Sequence, residues 1–366
     1  MVYRAIGLMS GSSLDGLDIA FAEFHEQAGK WRYEILQADC YPYNKEWMNR
    51  LKNAIELPAL DYQLLHTDYG HYTGREINRF IDEHQLHYQV ALIASHGHTT
   101  FHIPAKKMTG QLGDGAAIAA ETQLPVVTDL RAMDVAFGGQ GAPIVPVGEK
   151  WLLGDYDFFL NLGGIANISH NDPHRYTAFD ICPANRVLNM LVNALGKEYD
   201  DGGQIAATGR TDASLLEKLN ELDYYKQSYP KSLANDFGTD LVYPLIKSAN
   251  ISIPDALRTC TEHITFQISA AITALKNQKP ETKNQKLLCT GGGAFNTFLI
   301  QRLSETLRHQ QVEVIVPDKK LVNFKEALIM AFIGVLRWRQ EYNVLSSVTG
   351  ATRDSIGGAL WTGQEA

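Results

Sequence analysis

The chain has 366 residues, of which 45% are hydrophobic and 20% charged, and a formal net charge of −8. This is the make-up of a globular protein of about two domains with a sizeable core, and its acidic balance argues against a broad nucleic-acid surface. Cys40, Cys182, Cys260 and Cys289 lie far apart with no C-x-x-C pair, so neither a disulfide framework nor a structural zinc site is expected. The N-terminus lacks a signal-peptide pattern, and no apolar run approaches the roughly 18 residues of a membrane span. The expected location is cytoplasmic.

In chain order, Tyr3–Met9 and Leu17–Phe24 read as strands around a polar loop, and Trp31–Ala38 follows as a third strand after a turn at Gly29. Ala91–His98 reads as a further strand. Midway, Asp157–Leu162 and Ile165–His170 flank Gly163 and Gly164, and Arg175–Phe179 makes another third strand. Short apolar runs bounded by Gly, Asn, Asp and Pro are the hairpin signal. Val187, Leu188, Leu191, Val192 and Leu195 then recur at helical spacing. A helix is expected near Glu262–Lys276, and a strand over Lys286–Thr290. Gly291, Gly292 and Gly293 come next, then a helix with Phe295, Phe298, Leu299 and Leu303 on one face. Val312–Val316 reads as a strand, and Glu326 opens the next helix. Strands separated by helices imply an α/β architecture with partly parallel sheets, and the three-stranded meander followed by helices occurs twice.

Three glycine-bearing loops could carry chemistry. The first holds Gly11, Ser12, Ser13, Leu14, Asp15, Gly16, Leu17 and Asp18. Small residues let a backbone approach a ligand, and hydroxyl and N–H groups can face phosphate oxygens. Asp15 could hold Mg²⁺, through water, since Mg²⁺ keeps much of its hydration. The alternative is a plain hairpin turn. The second loop carries Gly163 and Gly164, and the third Gly291, Gly292 and Gly293. Among the acids, Asp180 falls at the end of its strand. It is either a general base or a cap for the next turn or helix. Glu326 either serves the site or complements a helix dipole. Arg131 and Asp134 either act on a ligand or pair with each other. His96 and His98 share a strand face, which suits hydroxyl recognition or internal hydrogen bonding better than a metal, because no third ligand stands at a familiar spacing.

The strings GLMSGSSLDGLD (7–18), SHGHTTFH (95–102), QLGD (111–114), VVTDLRAMDVAFGGQGAPIVP (126–146), NLGGIANIS (161–169), FDICPAN (179–185), GGGAFN (291–296) and SVTGA (347–351) together resemble the anhydro-N-acetylmuramic acid kinase family. The matches span nearly the whole chain in order. The resemblance implies an α/β, two-lobed actin/Hsp70/hexokinase-like (ribonuclease H-like) fold with duplicated mixed sheets, flanking helices and an active site in the interlobe cleft. Residues 1–130, with a C-terminal segment from about 350 to 366, would form one lobe and residues 131–349 the other.

The implied reaction hydrolyses the 1,6-anhydro bridge of the cell-wall amino sugar and phosphorylates O6 from ATP with Mg²⁺, giving N-acetylmuramic acid 6-phosphate in peptidoglycan recycling. The family base falls on Asp180. The nucleotide falls on Gly11–Asp18, with the other two glycine loops as further contacts. His96, His98, Arg131, Asp134, Asn185 and Glu326 are the implied sugar or cleft residues. The expected partners are the sugar and ATP, with neither nucleic acid nor membrane; a homodimer is compatible with the reading. The chain departs from the family pattern at His98, which stands for a Gln, at Ile181, Cys182 and Ala184 within FDICPAN, and at Leu233–Asp236, where the family's Arg–Glu end is lost. Other classes considered are a different sugar kinase, an Hsp70-like nucleotide-gated protein, and a glycoside hydrolase using Asp180 and Glu326.

Overall fold

The computed structural model describes residues 1–363 except Ser12, 173–175, 230, 235 and 277–283. Ser12 of the first loop, the expected strand start at Arg175, Pro230 and Asn235 of the divergent loop, and the end of the C-terminal segment (364–366) therefore lie outside the described residues. The chain divides into two compact units, Met1–Gly154 with Phe324–Ala366, and Asp155–Asn323. Segments 131–154 and 324–349, expected with the second lobe, cluster with the first unit.

The strands among the described residues are β1 (Val2–Ser10), β2 (Gly16–Gln27), β3 (Lys30–Pro42), β4 (Leu92–Ile103), β5 (Met108–Leu112), β6 (Val126–Thr128), β7 (Phe158–Leu162), β8 (Ile165–His170), β9 (Thr177–Pro183), β10 (Gln285–Thr290), β11 (Val312–Ile315) and β12 (Ala359–Trp361). The first unit's sheet runs β12-β6-β4-β1-β2-β3, with β5 paired to β4. The second runs β11-β10-β7-β8-β9. In each, an antiparallel meander of three strands is followed by two strands parallel to its first. The shared order, the meander's third, second and first strands followed by the two parallel ones, is the duplicated ribonuclease H-like arrangement.

In the first unit, the alternation of β1 sets its two faces. Ile6 and Leu8 enter a core with Leu65, Tyr69 and Ile77 of the helix Ala59–Glu83. Gly7 points the other way, against the helix Lys319–Trp338. A Cβ at Gly7 would stand 1.9 Å from the Ala327 carbonyl oxygen, so only glycine admits that helix. In β4, Leu92 through His98 are buried without interruption, as befits a parallel strand covered on both faces. In the second unit, β7, β8 and β9 pack with the helices Asn185–Asn193, Ile253–Lys276 and Thr297–Arg308 around Leu160, Ile168, Leu191, Ile268 and Leu303.

Two local expectations are corrected and a third is refined. Asp180 is not at a strand end: β9 continues through Pro183, which pairs with Ile165 on the outermost strand of its sheet, where a missing N–H is tolerated. Glu326 stands where expected, in the first turn of the helical stretch that starts after a break, but that stretch continues an earlier one. The helix begins at Lys319, with Asp318 accepting from the Leu321 N–H at 2.9 Å, and Glu326 follows a break at Phe324 (φ −116°, ψ 16°). The helix expected near Glu262 begins at Ile253; its Thr259 and Thr261 hydroxyls bond back to carbonyls one turn earlier, so these turn-favouring residues are accommodated within it.

Candidate active site

The first loop leaves β1 at Ser10, whose hydroxyl is buried. It accepts from the Tyr43 hydroxyl at 2.8 Å and shares a hydrogen bond of 3.0 Å with His98 Nδ1. The Tyr43 and Tyr69 hydroxyls lie 2.5 Å apart, which extends the chain of hydrogen bonds into the core. Beyond Ser10 the loop turns sharply. Leu14 sits in the left-handed region (φ 57°), and the Ser13 hydroxyl donates to Asp15 Oδ1 at 2.7 Å. Gly16 is required by packing, because a Cβ there would stand 2.6 Å from Cys40 Sγ. A Cβ at Gly11 would meet only Ser13 nearby, at 3.3 Å and 4.0 Å.

Asp18, on β2, is half-buried. Burial, with Asp15 and Glu326 adding repulsion, outweighs the Cys40 thiol hydrogen bond and pushes its carboxyl up to about 6. Glu326 is also half-buried and raised by burial, with Lys325 and Arg131 opposing and Glu149 assisting. The neighbouring Lys325 is committed to Glu149 at 2.8 Å, a pair only 7% and 3% exposed. Carboxylates crowded without enough cations of their own are suited to receive one.

His96 and His98 do not form a metal pair. Gly97 between them has φ +73° and breaks the alternation. His96 accepts from Arg131 Nε at 2.7 Å through Nε2, and its Nδ1 lies 2.8 Å from the Gly97 carbonyl. Burial, with Arg131 adding to it, lowers its pKa to about 3, so the ring is neutral and Nδ1 carries the proton. Arg131 also donates to the Gly141 carbonyl at 2.5 Å. Asp134 does not pair with Arg131. Its carboxylate accepts from the Gly141 N–H at 2.7 Å and the Thr349 hydroxyl at 2.6 Å, which ties the 139–141 loop to the 347–351 segment. Thr349 lies within the SVTGA string that supports the resemblance, but sequence assigns it no role of its own.

In the second unit the two glycine loops meet. The Ala184 and Asn185 N–H groups at the helix start donate to the carbonyls of Gly164 and Gly163 at 2.8 and 3.1 Å. The Asn185 amide donates to the Leu162 carbonyl at 2.9 Å. Gly291 (φ +80°) is required by packing, since its Cβ would lie 2.4 Å from Asn161 Oδ1. At Gly163, Gly164 and Gly292 a Cβ would find contacts no closer than 3.4, 3.6 and 3.7 Å. Those three have room that no side chain of this unit uses.

Asp180 lies in β9 beside a bulge. Asn167 pairs with Asp180 and Ala166 with Cys182, which leaves Ile181 over. The bulge turns both Ile181 and Cys182 into the core and leaves Asp180 half-buried between them and Phe179. Its Oδ2 accepts from the Leu233 N–H at 2.9 Å. Burial raises its carboxyl and that N–H opposes the rise. It caps no helix. Leu233 is a contact that sequence could not reveal, because its main chain makes it.

Among the described residues no group of three or more His, Cys, Asp or Glu is placed to hold a metal ion directly. Asp15 and Glu326 both add repulsion at Asp18, and carboxylates are hard oxygen donors of the kind that suits a hydrated Mg²⁺. None of the four cysteines forms a disulfide, and no described helix is long and apolar enough to cross a membrane.

Residues 3–363 match the model of the anhydro-N-acetylmuramic acid kinase family. Curated proteins of that name are similar over nearly their full length. That of Francisella tularensis subsp. novicida is 32% identical over 97% of each chain. That of Synechococcus elongatus is 33% identical over 98% of this chain and 99% of the relative, and that of Gloeobacter violaceus 34% identical over 95% and 96%. Among solved structures, component A of the (R)-2-hydroxyglutaryl-CoA dehydratase of Acidaminococcus fermentans aligns over 91% of this chain and 97% of its own, with 14% identity and a TM-score of 0.47, too loose a superposition to support an argument. The family model and the full-length relatives agree with the motif order along the chain, and the chain belongs to the anhydro-N-acetylmuramic acid kinase family, ATP-dependent carbohydrate kinases of cell-wall recycling.

Proposed function

We propose that Asp180 is the general base of this kinase and that the loop Gly11–Asp18 receives the ATP phosphates. The overall reaction opens the 1,6-anhydro bridge with water and phosphorylates O6, giving N-acetylmuramic acid 6-phosphate and ADP. The water oxygen bonds to C1 as the C1–O6 bond breaks, and Asp180 takes the water's proton. O6 then attacks the γ-phosphorus and ADP departs. The observation that carries this reading is the state of Asp180: half-buried, raised by burial, with Oδ2 fixed by one N–H and Oδ1 engaged by none of the described residues. A base poised in that way contributes about 10²–10⁴-fold in rate.

The other residues supply positioning and charge, as phosphoryl transfer requires. Gly11 in the first unit, and Gly163, Gly164 and Gly292 in the second, leave their backbones open to close approach by phosphate or nucleotide. Gly16, Gly291 and Gly293 shape those loops from behind. Mg²⁺ arriving with ATP would neutralise phosphate charge, held through water by Asp15, Asp18 and Glu326. Arg131, kept cationic although burial lowers it to about 10, orients His96 and balances Glu326. Asp134 holds the 139–141 loop, and Asn185 joins the helix start to the second glycine loop. His98 fixes Ser10 at the root of the first loop. The same reading puts the reaction in the cytoplasm, with the sugar and ATP as partners.

The deciding experiment is a mass-spectrometric product assay with ATP, Mg²⁺ and the anhydro sugar in ¹⁸O water. One ¹⁸O at C1 together with one added phosphate is expected. Phosphorylated product without label, or labelled product formed without ATP, would overturn the reading.

A further inference from the structure

The chain segment that crosses β9 holds Asp180 at every polar group but one. The Asp180 N–H donates to the Lys231 carbonyl at 3.2 Å. Its own carbonyl accepts from the Tyr224 hydroxyl at 2.5 Å. Its Oδ2 accepts from the Leu233 N–H at 2.9 Å. The segment is itself braced. Tyr224 is 7% exposed, and Lys231 Nζ lies 4.5 Å from its ring centre and donates to its carbonyl at 3.3 Å. Tyr229 stacks on Phe179, the residue before Asp180, with centroids 5.0 Å apart and planes 3° from parallel.

We infer that Tyr224, Lys231 and Leu233 position Asp180, with the Leu233 main-chain N–H fixing one carboxylate oxygen and thereby presenting the other to the attacking water. The inference rests on the assignment of Asp180 as the base. The geometry restricts the side chain at its far end through Leu233 and at its root through Tyr224 and Lys231, so rotation about the side-chain bonds breaks a charge-assisted hydrogen bond. Those three contacts come from a segment that departs from the family string just after Ser232, yet two of them are made by main-chain atoms and survive a change of side chain. The ionisable groups around Asp180 on the elements packed there are Tyr224 and Lys231 on the crossing segment and Cys182 on its own strand. Burial favours the neutral acid and the Leu233 N–H favours the carboxylate, so loss of that N–H shifts the base's ionisation to higher pH.

The test uses the full chain with ATP, Mg²⁺ and the anhydro sugar, and reads kcat, KM and the pH profile of kcat. Leu233→Pro removes the N–H. It is expected to lower kcat about tenfold or more, the effect of a hydrogen bond to a charged group, with KM little changed and the acid limb moved to higher pH. Leu233→Ala keeps the N–H, and its acid limb is expected to stay unmoved with kcat well above that of Leu233→Pro. Tyr224→Phe keeps the ring and removes only the hydroxyl, and a smaller fall in kcat is expected. A folded Leu233→Pro with unaltered kcat and acid limb overturns the inference. If Leu233→Pro does not fold, Tyr224→Phe decides, and an unaltered kcat there overturns it. Asp180→Asn separates the two layers. Wild-type turnover in that variant removes the base assignment itself, whereas an inactive Asp180→Asn beside an unaltered Leu233→Pro removes only the positioning role.

Discussion

Asp18 and Asp180 stand on meanders with the same strand order, in surroundings of opposite kind. Asp18 is crowded by Asp15 and Glu326 and is aided only by a thiol. Asp180 has no acidic neighbour contributing to its shift and is gripped by a backbone N–H. In both, burial is the largest influence and raises the carboxyl. The difference is what would relieve that cost: at Asp18 an added cation, at Asp180 the uptake of a proton. One topology thus frames two kinds of carboxylate site, and neighbours a few residues away decide which.

The sharpest way to break the comparison is Asp180→Asn. A folded protein with kcat lowered about 10²–10⁴-fold is expected, read in a coupled ADP assay beside a thermal melt. Near-normal turnover would place the base elsewhere. Next in size is the contrast of two glycines in the second unit. Gly291→Ala, with φ +80° and a Cβ 2.4 Å from Asn161 Oδ1, is expected to cost about 3 kcal/mol in denaturant unfolding. Gly164→Ala has room, with nothing closer than 3.6 Å; it is expected to leave stability within about 0.5 kcal/mol and to raise KM for ATP. Equal destabilisation in both would show that the open glycines are structural too.

The smallest effect sharpens the Asp18 side. Its folded pKa is raised to about 6 from an ordinary carboxyl value of 3.8. A raised carboxyl binds its proton more tightly when folded, so its stabilising contribution is complete below about pH 4 and lost as pH rises through about 6. Asp18→Asn stays neutral throughout. The melting temperature of the variant, relative to wild type, is expected to climb between pH 4 and pH 7 and to level off above. A constant difference across that range would mean that burial does not penalise this carboxylate.

Much of the architecture is legible in sequence because its signals are local. The two meanders announce themselves through Gly-bounded runs of alternating residues, and Gly11, Gly164 and Gly292 stand out by spacing alone. Local signs mislead where a partner distant in sequence overrides them. Pro183 reads as a turn residue but sits in β9, which is tolerated there because the strand has a neighbour on one side only. Arg131 and Asp134, three apart, look like a pair, but the loop at 139–141 and Thr349 satisfy the acid while His96 and Gly141 satisfy the base. The Leu233 N–H was out of reach for a different reason: every residue but proline has that group, so its use leaves no mark in the sequence.

The bond from the Asp180 N–H to the Lys231 carbonyl has a consequence for solubility. β9 ends its sheet, and a terminal strand exposes a row of donors and acceptors to which a second molecule can add a strand of its own. The crossing segment occupies part of that row. A substitution that detaches it bares a template for intermolecular β-pairing, so such variants are expected to lose soluble yield on concentration even where the fold remains intact.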